Sequence, residues 1–218
     1  MRTFFSFFFI FSGLTFHVLA QTDTASKKAI TINAAKAIFL NANKDTLTSD
    51  EYMRLVNSGL YAISYKQSTN QPTVFILDST DLLKSIGKKL PELKFTLLNG
   101  KKASIKKGHA TIINFWSTTC KPCIEELDSL NVLSNKQQNV DFLAITPDSI
   151  STVHTFLQGR HFNYKIVFLS NQDIETLLKV SVYPTHFLVD PNYVLEDVYV
   201  GKEPATYKKI RNFIKKYK

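Results

Sequence analysis

The sequence is poor in cysteine. Its 218 residues contain two, Cys120 and Cys123, which stand three positions apart. A loop this short gains little from cross-linking the unfolded chain, so the pair would be a weak structural staple. The sequence also lacks a second CxxC and any paired histidine spacing, so a metal site that uses this CxxC as one half is the lesser alternative. The two cysteines therefore indicate thiol chemistry, and we predict no metal site.

Charge is almost absent from the first twenty residues, in which Arg2 is the only charged side chain. The run from Thr3 to Ala20 is rich in phenylalanine, ends in a small residue and is followed by a polar stretch from Gln21. This layout is typical of a secretory signal peptide, so we expect residues 1–20 to be cleaved after Ala20 and the mature chain to be periplasmic or otherwise exported. A retained membrane anchor is the alternative, because the length of the run is just above the minimum that can span a bilayer. No cysteine lies near Ala20, which excludes lipid attachment there.

Internal repeats and low-complexity tracts are also missing, and the composition is that of an ordinary globular chain, with 44% hydrophobic and 21% charged residues. The net charge of +9 is compatible with a nucleic-acid or anionic membrane partner. The lysines are scattered, however, except near the end of the chain, and that cluster lacks the interleaved aromatic residues that bind single-stranded nucleic acid. We therefore predict no nucleic-acid partner and a solvated helix face there, formed by Lys208, Lys209, Arg211, Lys215, Lys216 and Lys218.

Residues 21–84 read as a small α+β extension whose role the sequence does not reveal. Alanine and large apolar residues over 34–40 predict a first helix, and the capping-box pattern over 48–51 opens a second. Two short strands are expected over 60–65 and 73–77, on either side of a stretch with turn composition.

Residues 85–218 alternate predicted strands with predicted helices, which favours an α/β fold with a sheet covered on both faces. Asn99-Gly100 is a strong hairpin signal between the strands expected over 93–98 and 103–105. The remaining strands are expected over 111–116, 140–146, 164–169, 185–189 and 194–200, and the helices over 124–130, 150–158, 174–180 and 205–217.

Cys120 stands where a buried strand gives way to a helix. The positive end of a helix favours a thiolate over a thiol, and Lys121 adds a nearby cation. Pro122 suits the first helical turn, where its missing N–H costs nothing. Cys123 lies one turn further on and faces inward. We therefore predict that Cys120 is the attacking thiolate and that Cys123 is the resolving thiol.

The run FWSTTCKPC over residues 115–123 resembles the FWA-x-W-C-x-P-C active-site run of the TlpA/ResA-like thioredoxin family. The residues PTHFLVD over 184–190 are similar to the PTTFLID strand of that family, and the resemblance extends over 85–218. It implies a thioredoxin-like fold, a central mixed sheet flanked by helices, with the family's helix–strand insertion at 150–169. It also implies a thiol–disulfide oxidoreductase, expected to reduce disulfides of exported proteins with electrons from a membrane thiol donor and without a cofactor.

The resemblance further implies roles for single residues. Glu126 matches the family's partly buried glutamate, which tunes the cysteines or moves protons; the alternative is a first-turn carboxylate stabilised by the helix dipole. Trp116 is expected beside the cysteines, either at the substrate-binding site or as a core residue. Pro184 is expected to be cis and to face the disulfide, and the backbone of Tyr183 is expected to contact a partner. His186 is interpreted as a packed strand histidine rather than as a titrating group.

Three other functions are weighed against this one. A peroxiredoxin-like peroxide reductase requires Pro-x-x-x-Thr-x-x-Cys, but this chain has an isoleucine and Ser117 at the Pro and Thr places. A copper-binding thioredoxin-like chaperone uses a wider cysteine spacing and a downstream histidine. A binding module would use residues 21–84 to recruit a partner, and its CxxC would be incidental.

Overall fold

The structure is a computed structural model that describes residues 9–12, 15–20, 28–33, 37–66, 71–135 and 139–218. For the first three ranges only the backbone is described. The chain divides into two units. One contains Met1–Asn57 and Tyr61–Asp78, and the other contains Ser58–Leu60 and Ser79–Lys218. Within the described residues, no helix is both long enough and apolar enough to span a membrane.

The first unit contains two sheets. Strands β1 (Phe9–Ser12), β2 (Thr15–Ala20) and β3 (Lys28–Asn33) form an antiparallel sheet. The second sheet has the order β5-β4-β7-β6 and is built from β4 (Ile38–Leu40), β5 (Thr46–Leu47), β6 (Tyr61–Lys66) and β7 (Val74–Ser79). Helix α1 (Ser49–Asn57) begins at the predicted capping box, where Thr48 and Glu51 exchange hydrogen bonds between side chain and backbone N–H.

The helix predicted over 34–40 is wrong at its described end, because Ile38–Leu40 is strand β4 and runs parallel to β7. Residues 34–36 lie outside the described part of the chain. The ring of Phe39 packs against Tyr52 and Phe75, with ring centroids 4.4 and 5.7 Å away. Pairing and packing with residues distant in sequence therefore override the local helix preference.

The second unit is a seven-stranded mixed sheet in the order β14-β13-β10-β11-β12-β8-β9. Its strands are β8 (Phe95–Leu97), β9 (Lys102–Ala103), β10 (Ala110–Phe115), β11 (Val140–Thr146), β12 (Lys165–Phe168), β13 (Thr185–Val189) and β14 (Leu195–Val200). Its helices are α2 (Lys121–Ser134), α3 (Ile150–Leu157), α4 (Asn171–Leu178) and α5 (Pro204–Tyr217). The predicted hairpin is confirmed: β8 and β9 are antiparallel, and Gly100 takes a φ of 80° in their turn.

Strand β10 is an inner strand of this sheet, parallel to β11 and antiparallel to β13, and every residue in it is buried. Its side chains alternate between two core clusters, as a strand requires. Ile113 packs in the cluster that includes residues of α4, whereas Ile112 packs in the one that includes residues of α2, α3 and α5. Helices therefore cover both faces of the mixed sheet, as predicted, and β10 leads directly to the cysteines.

Candidate active site

Cys120 is the N-cap of α2. Its Sγ accepts a hydrogen bond from the backbone N–H of Cys123 at 3.3 Å, and its carbonyl oxygen accepts one from the N–H of Ile124 at 3.1 Å. Pro122 lies in the first turn, where no N–H is required. The Cys120 sulfur therefore lies at the positive end of the helix, an environment that stabilises a thiolate.

The two cysteines form a disulfide, but they differ in exposure. Their sulfurs are 2.01 Å apart. Cys120 is half-buried, whereas Cys123 is fully buried. A macromolecular partner can reach the first sulfur and is kept from the second, as expected for an attacking and a resolving cysteine.

Asp148 holds the loop that leads into the disulfide. Its carboxylate accepts a hydrogen bond from the backbone N–H of Thr118 at 2.6 Å, and it lies just beyond the end of β11. Asp148 was not predicted as a site residue. A carboxylate shortly after the strand that neighbours the cysteine-bearing one was the available signal, since parallel neighbours end at the same sheet edge.

Trp116 lies beneath the site. It is fully buried and packs against Phe156 and Phe162, each 5.4 Å away between ring centroids, in the cluster that also contains Cys123. Of the two predicted roles, this burial supports the core role, and the substrate-binding role of Trp116 stays a prediction.

The peptide bond between Tyr183 and Pro184 is cis, as predicted. Thr185, the next residue, pairs with Phe115 at the end of β10, which places Pro184 beside the loop that carries Cys120. Tyr183 is half-buried, and its backbone N–H and C=O make no hydrogen bond to any described residue. Burial, followed by the nearby carboxylates of Glu175 and Asp148, raises the pKa of the Tyr183 phenol to about 12. The phenol therefore stays protonated at neutral pH.

Glu126 is buried one turn beyond Cys123 on α2, with 1% of its surface exposed. Its Oε1 accepts a hydrogen bond from Asn114 Nδ2 at 2.9 Å and lies 3.1 Å from His186 Nε2. Glu125, the adjacent residue, is exposed as expected and forms an ion pair with Lys202 at 2.8 Å. Lys202 lowers the pKa of the Glu125 carboxyl.

The phenols of Tyr164 and Tyr207 lie near the Glu126 carboxylate. Glu126 Oε2 and the hydroxyls of Tyr164 and Tyr207 are buried without a well-formed hydrogen bond to a described residue. Burial, followed by the negative charge of Glu126, raises the pKa of Tyr207 to about 12 and that of Tyr164 well above its usual range. Both phenols therefore remain protonated and face a buried carboxylate.

Asn114 was not predicted as a site residue, and His186 was predicted as a packed strand histidine with no partner named. The available signal was a polar residue at each position inside an otherwise apolar strand, because buried polar groups need hydrogen-bond partners. Within the described residues, no three His, Cys, Asp or Glu side chains cluster as a metal site would require.

A mixed sheet with a CxxC at the start of the helix after an inner strand, and a cis-proline directly before the adjacent strand, defines a thioredoxin-like thiol–disulfide oxidoreductase. Residues 86–198, more than half of the chain, match the AhpC/TSA family, and the chain belongs to that family.

The chain is also similar to individual curated proteins and to solved structures. The chain is 30% identical over 136 residues to the thiol-disulfide oxidoreductase ResA of Bacillus thuringiensis (strain Al Hakam), covering 60% of this chain and 78% of ResA. It is 29% identical over 123 residues to the thioredoxin-like protein YneN of Bacillus subtilis, covering 53% and 71%. A crystal structure from Chlorobium tepidum, described as the putative thiol:disulfide interchange protein DsbE, superposes with a TM-score of 0.56 at 23% identity, covering 61% of this chain and 96% of that one. The predicted fold and enzyme class are confirmed.

Proposed function

We propose that this oxidoreductase works as a disulfide reductase in which Cys120 attacks and Cys123 resolves. The observation that carries the proposal is the contrast between the two sulfurs: Cys120 is accessible at a helix N-terminus, and Cys123 is fully buried. The Cys120 thiolate attacks one sulfur of a substrate disulfide and releases the other as a thiolate. Cys123 then loses its proton and attacks Cys120 Sγ, which releases the second substrate thiolate. Two electrons pass from the cysteine pair to the substrate.

Glu126 is the proposed acceptor for the Cys123 proton. It follows Cys123 by three positions on α2, so the two side chains share one face of the helix. Its Oε2 makes no hydrogen bond of normal geometry to a described residue, and the Tyr207 phenol lies close to the carboxylate, so we assign the proton to Oε2 rather than to the doubly hydrogen-bonded Oε1. A buried thiol needs a base nearby, since bulk water does not reach it.

Tyr183 and Pro184 form the proposed contact surface for the substrate. The unpaired backbone of Tyr183 supports this role, because an extended segment of a partner can add its own N–H and C=O groups to such an edge. The proposed partners are exported proteins that carry disulfides. A membrane thiol donor is proposed to return the cysteine pair to the reduced state.

Export is proposed from the composition of residues 1–20. Cleavage after Ala20 would remove β1 and β2 from the mature protein. N-terminal sequencing of the protein recovered outside the cytoplasm should return Gln21 as the first residue. Recovery of Met1 in the membrane fraction would support the anchor instead.

The direction of electron flow is tested by the reduction potential of the cysteine pair, measured by equilibration with glutathione and mass analysis of the trapped thiols. A reductase should have a potential at or below about −230 mV, and a value near about −120 mV would indicate an oxidant. Rapid oxidation by peroxide that is equally fast in Cys123→Ser would favour the peroxide-reductase alternative.

A further inference from the structure

Glu126, Asn114 and His186 form a closed triangle in the core. Asn114 Nδ2 lies 2.9 Å from Glu126 Oε1, His186 Nε2 lies 3.1 Å from the same oxygen, and the two nitrogens are 3.2 Å apart. The exposed fraction is 2% for Asn114, 1% for Glu126 and 0% for His186. The position of His186 corresponds to a threonine in the PTTFLID strand, so this contact is not part of that motif.

The chemistry of these three side chains determines which atoms donate hydrogen bonds and which atom accepts them. An amide Nδ2 can only donate, so Glu126 Oε1 accepts from Asn114. If His186 Nε2 carries a proton, it is a second donor to the same oxygen, and the short distance between the nitrogens follows from their shared acceptor. His186 Nδ1 is buried and has no partner among the described residues, so the network places the ring proton on Nε2.

We propose that His186 is a positioning residue for the resolving step: with Asn114 it holds Glu126 Oε1, so that Oε2 takes the proton of Cys123. The inference rests on the proposed function. Two donors on Oε1 stabilise the carboxylate and fix its orientation. Without His186, the carboxylate would be less stable as an anion, and the side chain would lose one of its two anchors.

Other titratable groups lie on the elements around this triangle of side chains. Cys123 lies on the same helix, Tyr164 precedes β12 and Tyr207 lies on α5. Tyr199 of β14 pairs in register with His186, and its hydroxyl donates to Asp197. The raised pKa values of Tyr164, Tyr199 and Tyr207 keep these phenols protonated over the neutral range. These phenols therefore do not contribute to a pH-dependent change near neutrality.

The test uses the reduced full chain and dithionitrobenzoate, an aromatic disulfide. Cys120 releases one thionitrobenzoate anion and retains the other in a mixed disulfide. Cys123 then displaces the second, while its proton passes to Glu126. The two electrons that reduce the reagent come from the pair of cysteine sulfurs, which end as a disulfide. Stopped-flow absorbance separates the two releases, and the second is followed across pH.

His186→Thr should slow the second release roughly tenfold or more and leave the first unchanged. In His186→Thr the acid limb of the pH profile for the second release should move up by about one pH unit, because the Glu126 carboxylate has lost the hydrogen bond from His186. His186→Gln, whose amide N–H can replace Nε2–H, should retain most of the rate. In a protein that already carries Glu126→Gln, His186→Thr should slow the second release little further, because the two residues act as one unit.

His109→Gln is the matched control. His109 Nδ1 lies 3.6 Å from Asp141 Oδ2, in a half-buried pair before β10 and away from the cysteines. It should leave both releases unchanged. A His186→Thr protein with lower thermal stability but a wild-type pH profile would overturn the proposal, as would a His186→Gln protein as slow as His186→Thr.

A second measurement needs only one folded variant. Nitrogen-15 NMR of the oxidised wild-type protein should show His186 with its proton on Nε2, assigned by loss of the signal in His186→Gln. A proton on Nδ1 with bare Nε2 would overturn the donor assignment. If the wild-type protein releases one thionitrobenzoate but never the second, the proposed function fails rather than this inference.

Discussion

Asn114 and His186 lie directly opposite each other on β10 and β13, and both side chains reach the same oxygen of Glu126. The central sheet therefore supplies two anchors for a carboxylate carried by the helix that bears the cysteines. Such a carboxylate is held in place without support from solvent, because all three side chains are buried. The orientation of the Glu126 carboxylate is therefore determined by the two strands of the sheet as well as by helix α2.

Glu126→Gln should separate activity from stability. The carbonyl oxygen of the introduced amide can still accept from Asn114 and His186, so the free energy of unfolding should change by only about 1–2 kcal/mol. The rate of Cys123 attack should fall about a hundredfold, because an amide cannot take a proton. Urea unfolding and the second thionitrobenzoate release measure the two effects. The exposed neighbour is the control: Glu125→Gln should alter neither the rate nor the stability, because a solvent-exposed ion pair contributes little. Equal rates in both variants would assign Glu126 a purely structural role.

The protein should lose stability as the pH rises above about 10. The pKa of a phenol in the unfolded chain is about 10, whereas burial raises that of Tyr183 and Tyr207 to about 12 in the folded chain. Between these values the unfolded chain binds fewer protons than the folded one, so the free energy of unfolding falls with pH. Urea unfolding at about pH 8 to 11 should show this slope.

Tyr207→Phe should make that alkaline slope shallower, because one phenol with a raised pKa has been removed. Tyr65→Phe, which replaces an exposed phenol, is the control. Identical slopes in the wild-type protein and in Tyr207→Phe would show that burial does not raise the pKa of the Tyr207 phenol.

Reduction of the disulfide should increase the fluorescence of Trp116. This is the only tryptophan in the chain, and it packs in the same cluster as both cysteines. A disulfide quenches a neighbouring indole by accepting an electron, and a dithiol does so much less. Emission should rise when a small dithiol is added and should follow the redox titration. Cys123→Ser, which cannot form the disulfide, should show no change with added dithiol; a similar rise there would assign the signal to another cause.

Much of the second unit was predictable because its signals are local. The buried run of β10, the CxxC, the proline in the first helical turn and the Asn99-Gly100 turn each specify their own structure over a few residues. Cys120, Cys123 and Glu126 follow from the same stretch of sequence.

The features that the sequence did not specify depend on contacts between residues distant in sequence. Ile38–Leu40 follows an alanine-rich run, and it becomes a strand because β7 pairs with it. The partnership of Asn114, Glu126 and His186 depends on strand register and on the way α2 packs over the sheet, which no single segment encodes. The burial of Trp116 likewise depends on Phe156 and Phe162, which lie far along the chain beyond α2 and β11.

In the proposed mechanism, Cys120 attacks the substrate and Cys123 resolves the mixed disulfide. Trapping experiments with single cysteine variants distinguish these two roles. Each variant is incubated with an oxidised disulfide substrate, and the products are separated without reducing agent and identified by mass spectrometry. Cys123→Ser should accumulate a stable mixed disulfide at Cys120, because the accessible sulfur attacks and nothing resolves the product. Cys120→Ser should form none, because Cys123 is fully buried. The opposite result would reverse the two roles: a mixed disulfide at Cys123 in the Cys120→Ser protein and none at Cys120 in the Cys123→Ser protein.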